Sequence, residues 1–149
     1  RKVVVTAGTT SERLLRHWSE QHGSKVQLLT ARDHDDAFRV LEAGQVDALM
    51  LDDALLFGER AKAAHPEDWV ITGTPMSQEA YGCMMRLGDE AFKAVVDRAL
   101  SRLLTSGEAL KLYTKWFQRP IPPRGLNLNS PPSEALQQLF RRPSDQPLP

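Results

Sequence analysis

The sequence predicts an α/β protein: a mostly parallel sheet flanked by helices, then a helical C-terminal segment and an extended proline-rich tail. Three observations carry this. Over the first 80 residues, short β-branched or aliphatic runs alternate with amphipathic segments across short connections, the rhythm of parallel strands joined by helical crossovers. From Asp89 onward the apolar residues repeat at helical spacing. The stretches "RPIPPRGLNLNSPP" and "RPSDQPLP" hold too much proline for a helix or a central strand.

In order, Val3-Val4-Val5-Thr6 reads as a buried strand. Residues 11–21 read as a helix with Leu14, Leu15 and Trp18 on one face. Thr9 and Glu12 stand at capping-box spacing, and Gly23 ends the helix. Residues 26–29 form a second strand. Asp35 or Asp36 caps a short helix with Phe38, Val40 and Leu41 on its apolar face, closed by Gly44. Ala48-Leu49-Met50-Leu51 is a third strand, followed at once by Asp52-Asp53. A helix over 54–64 stops at His65-Pro66. Residues 69–72 and 80–85 read as two further strands. Asp89 caps a helix striped by Phe92, Val95, Val96, Ala99, Leu100, Leu103 and Leu104. Gly107 separates it from a second helix carrying Leu110, Leu112, Trp116 and Phe117. Residues 133–141 form a last short helix with Leu136, Leu139 and Phe140 inward.

Lysine plus arginine equals aspartate plus glutamate, 19 each, so no net field draws the chain to nucleic acid or an anionic membrane. No apolar run approaches the roughly 18 residues of a membrane span. The chain enters a strand at once, with no leader pattern. Cys83 is the single cysteine, which excludes an internal disulfide and a cysteine-based metal cage; a small buried side chain is expected there.

In open parallel sheets, ligands bind beyond the carboxyl ends of the strands. Three loops there carry chemistry. Gly8-Thr9-Thr10 places a flexible turn and two hydroxyls at a helix N-terminus, whose free amides attract anions; a plain cap at Thr9 accounts for the same residues. Arg32-Asp33-His34-Asp35-Asp36 offers an imidazole to an anionic group, its plain alternative being a solvated loop histidine. At Asp52-Asp53, one carboxylate can cap the next helix and the other can meet an ammonium group. Together these suit a zwitterionic ligand better than a catalytic cycle. The sequence has no nucleophile elbow, no dinucleotide fingerprint and no phosphate-loop lysine. His34 with its neighbouring aspartates matches no standard metal spacing. No cofactor is expected.

"VVVTAGTTSERLL", "ARDHDDAFRVLEAGQVDALMLDDALLFGERAKA", "PMSQEAYGCMMR" and "SGEALKLYTKWFQRPIPPRGLNLN" resemble the glutamate/aspartate-binding proteins of bacterial ABC amino-acid uptake systems (solute-binding protein family 3). The resemblance covers nearly the whole chain. It implies a periplasmic-binding-protein-like (type II) fold, in which two α/β lobes close on one amino acid without altering it. It also implies a periplasmic location and delivery of the amino acid to an inner-membrane ABC permease. On this resemblance, Gly8, Thr9 and Thr10 meet the bound amino acid through backbone amides and hydroxyls. Asp52 receives its α-ammonium group, a partner without which burying that charge is costly. His34 helps hold the side-chain carboxylate of glutamate or aspartate, and Asp53 falls to helix capping. An effector-binding sensory domain with the same two-lobed fold is the alternative.

Members of that family are nearly twice as long. Residues 1–79 resemble their second, ligand-binding lobe. Residues 80–149 resemble the returning hinge strand, two helices and a tail that complete the first lobe, so a truncated form is expected. The stripe from Phe92 to Leu104, with Trp116 and Phe117, then lacks its usual sheet. Such an apolar face is expected to fold back on the lobe, to pair in a homodimer or domain swap, or to be covered by the complementary lobe fragment.

Overall fold

Three successive valines after Lys2 favour extended backbone, because branching at Cβ stiffens the side chain, and they build strand β1, Lys2–Thr6. It is followed by helix α1, Thr10–Gln21, strand β2, Gln27–Ala31, helix α2, His34–Glu42, strand β3, Ala48–Leu49, and helix α3, Asp53–Lys62. These come from a computed structural model that describes residues 1–23 and 25–146. The chain divides into two units, Arg1–Gly73 and Thr74–Pro149.

The first unit holds a three-stranded sheet in the order β2-β1-β3, and both pairings are parallel. Lys2 to Thr6 stand opposite Gln27 to Ala31, and Val3 and Val4 opposite Ala48 and Leu49. The short β3 ladder is lengthened by Asp47 N–H donating to the Lys2 carbonyl and Met50 N–H to that of Val4. Flanked on both sides, β1 buries both of its faces: Val4 is 1% and Val5 0% exposed. Val4 joins Ala37 and Val46 in the core, with Leu29, Ala31, Val40, Leu41 and Leu49 packed around them. Adjacent strand residues face opposite ways, so Val5 belongs to the other face. Leu15 is the buried leucine of α1.

Two expected strands are absent as strands. Residues 69–72 follow a short 3-10 turn at Pro66–Asp68 and take no place in the sheet. Trp69 instead sets its ring edge-on to Phe38, 5.5 Å between centroids, while Val70 is exposed. Residues 80–85 are likewise unpaired, with Tyr81 and Met84 fully in solvent. Both stretches have strand-like composition, but a strand exists only through a neighbour's hydrogen bonds, and none of the described residues supplies one. Cys83, expected to be buried, is exposed in the same stretch.

The second unit is helical: α4, Glu90–Thr105, α5, Glu108–Phe117, and α6, Glu134–Arg141. Asp89 caps α4 by accepting from Phe92 N–H at 3.0 Å, and Ser133 caps α6 by accepting from Leu136 N–H at 3.2 Å. Gly107 turns the chain between α4 and α5 at φ +83°. Tyr113 stacks on Phe117 and meets Phe140 of α6 edge-on. No residue of these three helices is buried. Phe92, Val95, Leu110 and Trp116 stay about half exposed. The proline-rich connection forms a tight turn in which Ile121 pairs with Leu126. The last three residues of the expected extended tail lie outside the described residues.

Candidate functional site

Because all three strands run parallel, the loops after Thr6, Ala31 and Leu49 leave the same end of the sheet. Those loops carry Gly8-Thr9-Thr10, His34 and Asp52. β1 is also where the strand order reverses, since β2 lies on one side of it and β3 on the other. At such a point the following loops part and leave a crevice. The first loop and Asp52 therefore flank the reversal, and His34 joins them from the β2 side.

In the first loop, Gly8 takes φ +75°, a conformation that costs little only without a Cβ. Thr9 is the N-cap of α1. Its hydroxyl oxygen accepts from Glu12 N–H at 3.3 Å, while its proton goes to the Thr6 carbonyl at 2.7 Å. The Thr9 hydroxyl is thus spent within the fold. Glu12, at the capping-box position, reaches one residue further back than usual and accepts from Gly8 N–H at 2.8 Å. That bond, followed by the Arg16 contact at 2.7 Å, holds the Glu12 carboxyl below its ordinary range. One of the amides expected to face a ligand is therefore occupied by an internal carboxylate. Those of Thr9 and Thr10 donate to no acceptor among the described residues, and Thr10 is half-buried at the first helical position.

The second loop holds more order than its sequence suggests. Asp33, rather than Asp35 or Asp36, caps α2 by accepting from Asp36 N–H at 2.8 Å. That bond first, and Arg32 after it, lowers the Asp33 carboxyl. The cap falls there because Asp33 is the last extended residue, with φ −145°. Asp36 pairs with Arg32 and Arg39, and Asp35 with Lys62. No group of three potential metal ligands occurs among the described residues. His34 opens α2 half-buried, and its Nδ1 lies 2.7 Å from Thr6 Oγ1. It is not a free solvated histidine. Thr6 was not singled out in the sequence, where it reads as the end of a strand; a hydroxyl closing an otherwise aliphatic buried run is the signal that would have found it.

At the third loop neither aspartate caps α3 through its side chain. Asp52 holds the N-cap position of α3 and its carbonyl takes Leu56 N–H, but its side chain makes no capping bond and is exposed. Asp53, expected to cap, is the first helical residue and accepts only from its neighbour Ala54 N–H, at 2.6 Å. One carboxylate is thus left uncommitted at the sheet end. Two surface hollows of the first unit, about 540 and 520 Å³, are lined by other residues, Lys25, Gln27 and Asp47 among those of one and Arg32, Arg39 and Val40 among those of the other. The candidate residues lie outside both, on the face at the carboxyl end of the sheet.

This face can offer amide donors and an imidazole to acidic groups and a carboxylate to an ammonium group. No family model matches the chain. It is 54% identical to the L-glutamate/L-aspartate-binding protein of Pseudomonas aeruginosa, over 97% of this chain and 48% of that protein. It is 51% identical to the glutamate/aspartate import solute-binding protein of Escherichia coli, over 98% of this chain and 48% of that protein. Among solved structures it is similar to an ABC transporter periplasmic binding protein from Brucella ovis with glutathione bound, with a TM-score of 0.61 and 27% identity, over 74% of this chain and 34% of that one. The chain spans about half the length of the curated relatives it matches. Its fold is that of a periplasmic-binding-protein-like α/β lobe with a helical C-terminal segment. None of its helices, among the described residues, is long and apolar enough to cross a membrane.

Proposed function

Because the chain is homologous over nearly its whole length to glutamate/aspartate-binding proteins of ABC importers, we propose that it forms one wall of a site that binds glutamate or aspartate for uptake. The amino acid is bound without chemical conversion and passed to an inner-membrane ABC permease, from a periplasmic location. Residues 1–79 act as the ligand-binding lobe, and residues 80–149 contribute to the partner lobe. The observation that carries the reading is the convergence of three successive loops at one end of one parallel sheet, with matched charges. The amides of Thr9 and Thr10 serve acidic groups of the ligand, together with the Thr10 hydroxyl. His34 binds the side-chain carboxylate, and Asp52 the α-ammonium group. Gly8 shapes the turn, and its amide becomes available when a ligand carboxylate displaces Glu12.

Amide NMR titration of the chain tests this. L-Glutamate and L-aspartate are expected to shift Gly8, Thr9, Thr10, His34 and Asp52, and L-glutamine to leave them in place. Equal responses to glutamate and glutamine, or shifts confined to other residues, would remove the assignment. The half-exposed apolar residues of α4 and α5 support self-association as a homodimer or domain swap. Light scattering that gave a monomer at every concentration would end that part of the proposal.

A further inference from the structure

We propose that Thr6 is a positioning residue that fixes the tautomer of His34; this rests on the role given to His34 above and deepens it. Thr6 closes β1 and is 6% exposed. Its Oγ1 lies 2.7 Å from His34 Nδ1, and no other partner of that hydroxyl occurs among the described residues. Two proton arrangements fit the distance. If Nδ1–H donated to Thr6, the hydroxyl proton would be left in a buried place without an acceptor, and an unmet buried donor is costly. If the hydroxyl donates to Nδ1, its proton is satisfied and only a lone pair goes unused. The second arrangement wins. It puts the ring proton on Nε2, the nitrogen that has no protein partner among the described residues.

The consequence is chemical. A neutral imidazole held in the Nε2–H form is a ready donor to a carboxylate, with no need to become an imidazolium. In the opposite tautomer Nε2 would present a lone pair and repel the same group. Thr6 also accepts the Thr9 hydroxyl on its carbonyl at 2.7 Å. One strand-end residue therefore orders the first loop through its main chain and the second through its side chain.

The test is nitrogen-15 NMR of the His34 ring in the ligand-free chain at about pH 8, where an ordinary imidazole is neutral. The expected spectrum shows a protonated Nε2 and a bare Nδ1. Thr6→Val, which keeps the shape and loses the hydroxyl, is expected to give the averaged spectrum of a freely exchanging ring. Thr6→Ser should restore the single tautomer. Glutamate affinity is expected to fall about two-fold in Thr6→Val, as the competent tautomer drops to roughly half of the population, and to be unchanged in Thr6→Ser. An averaged or Nδ1–H spectrum in the unmodified chain overturns the assignment without calling on any variant. A pinned Nε2–H tautomer that glutamate leaves unmoved would instead overturn the ligand role of His34, with Thr6 still its positioning partner.

Discussion

Thr9 and Asp52 show how differently two N-cap positions can be used. The Thr9 hydroxyl donates to Thr6 and accepts from Glu12, so its removal is felt by the fold. Thr9→Ala is expected to destabilise the first unit by about 1 kcal/mol, the usual worth of such a cap. Thr9→Ser should keep most of that stability, as urea unfolding would show. Asp52 has no capping bond to lose. Asp52→Asn should therefore leave the urea midpoint almost unchanged while abolishing the glutamate-induced shifts of the first loop. A variant that lost stability and kept its ligand response would reverse the roles assigned here. In the sequence, Thr9 was legible as a cap because its spacing to Glu12 names the motif. The Asp52–Asp53 pair was not, since where the first helical turn begins, and whether the side chain before it reaches back, is a matter of backbone path that composition does not reveal. The link from Thr6 to His34 was hidden for another reason: it joins two loops through pairing of β1 with β2.

At the scale of elements, α2 and α3 are tied by Lys62, which reaches Asp35 at 2.7 Å and Glu59 at 2.8 Å. The two contacts are unequal. The Asp35 side chain is mostly exposed, and such pairs contribute little. Glu59 is buried, so removing its partner leaves a carboxylate without compensation. Lys62→Ala is expected to cost about 1–3 kcal/mol, and Asp35→Ala much less. Glu59→Leu in the Lys62→Ala background should recover part of the loss in thermal melts. Burial alone would lower the Lys62 ammonium, but the hydrogen bonds to Asp35 and Glu59 outweigh it and leave it raised; Asp35 is lowered, first by its hydrogen bond from Lys62. A lowered carboxyl contributes fully above its unfolded value, near 3.9, and loses that contribution as pH falls through its folded value. A raised ammonium contributes fully below about 10.4 and loses its share as pH rises through its folded value. Between those limits the tie should hold, so the difference between the parent chain and Asp35→Ala should stay flat from about pH 5 to 9 and shrink outside. The helices themselves were readable because their periodicity and caps are local. The stretches at 69–72 and 80–85 misled because β-propensity is realised only through a partner.

Across the whole chain, burial is unevenly shared. Among the described residues, the buried hydrophobic ones all belong to the unit Arg1–Gly73, whereas none of the residues of α4, α5 and α6 is buried. Hydrogen exchange in the dilute, monomeric chain should follow that division, slowest at the amides of Val4 and Val5 and fast throughout α5, with α5 slowing as self-association covers its apolar face. Slow exchange in α5 equal to that of β1 would mean that its apolar face is covered in solution. Phe38→Ala, which empties a core site against Trp69, is expected to destabilise the first unit by about 3–5 kcal/mol while leaving the α5 amides unchanged. The placing of β1 between β2 and β3, both later in the chain, bears on how the sheet forms. Val3 meets Leu28 on one side and Ala48 on the other, so β1 precedes both of its neighbours in the chain. Closing the sheet requires contacts distant in sequence, which slow folding. In refolding from urea, protection of the β1 amides should therefore appear no earlier than that of the β3 amides, and β1 protected well ahead of β3 would show that it pairs with β2 alone first.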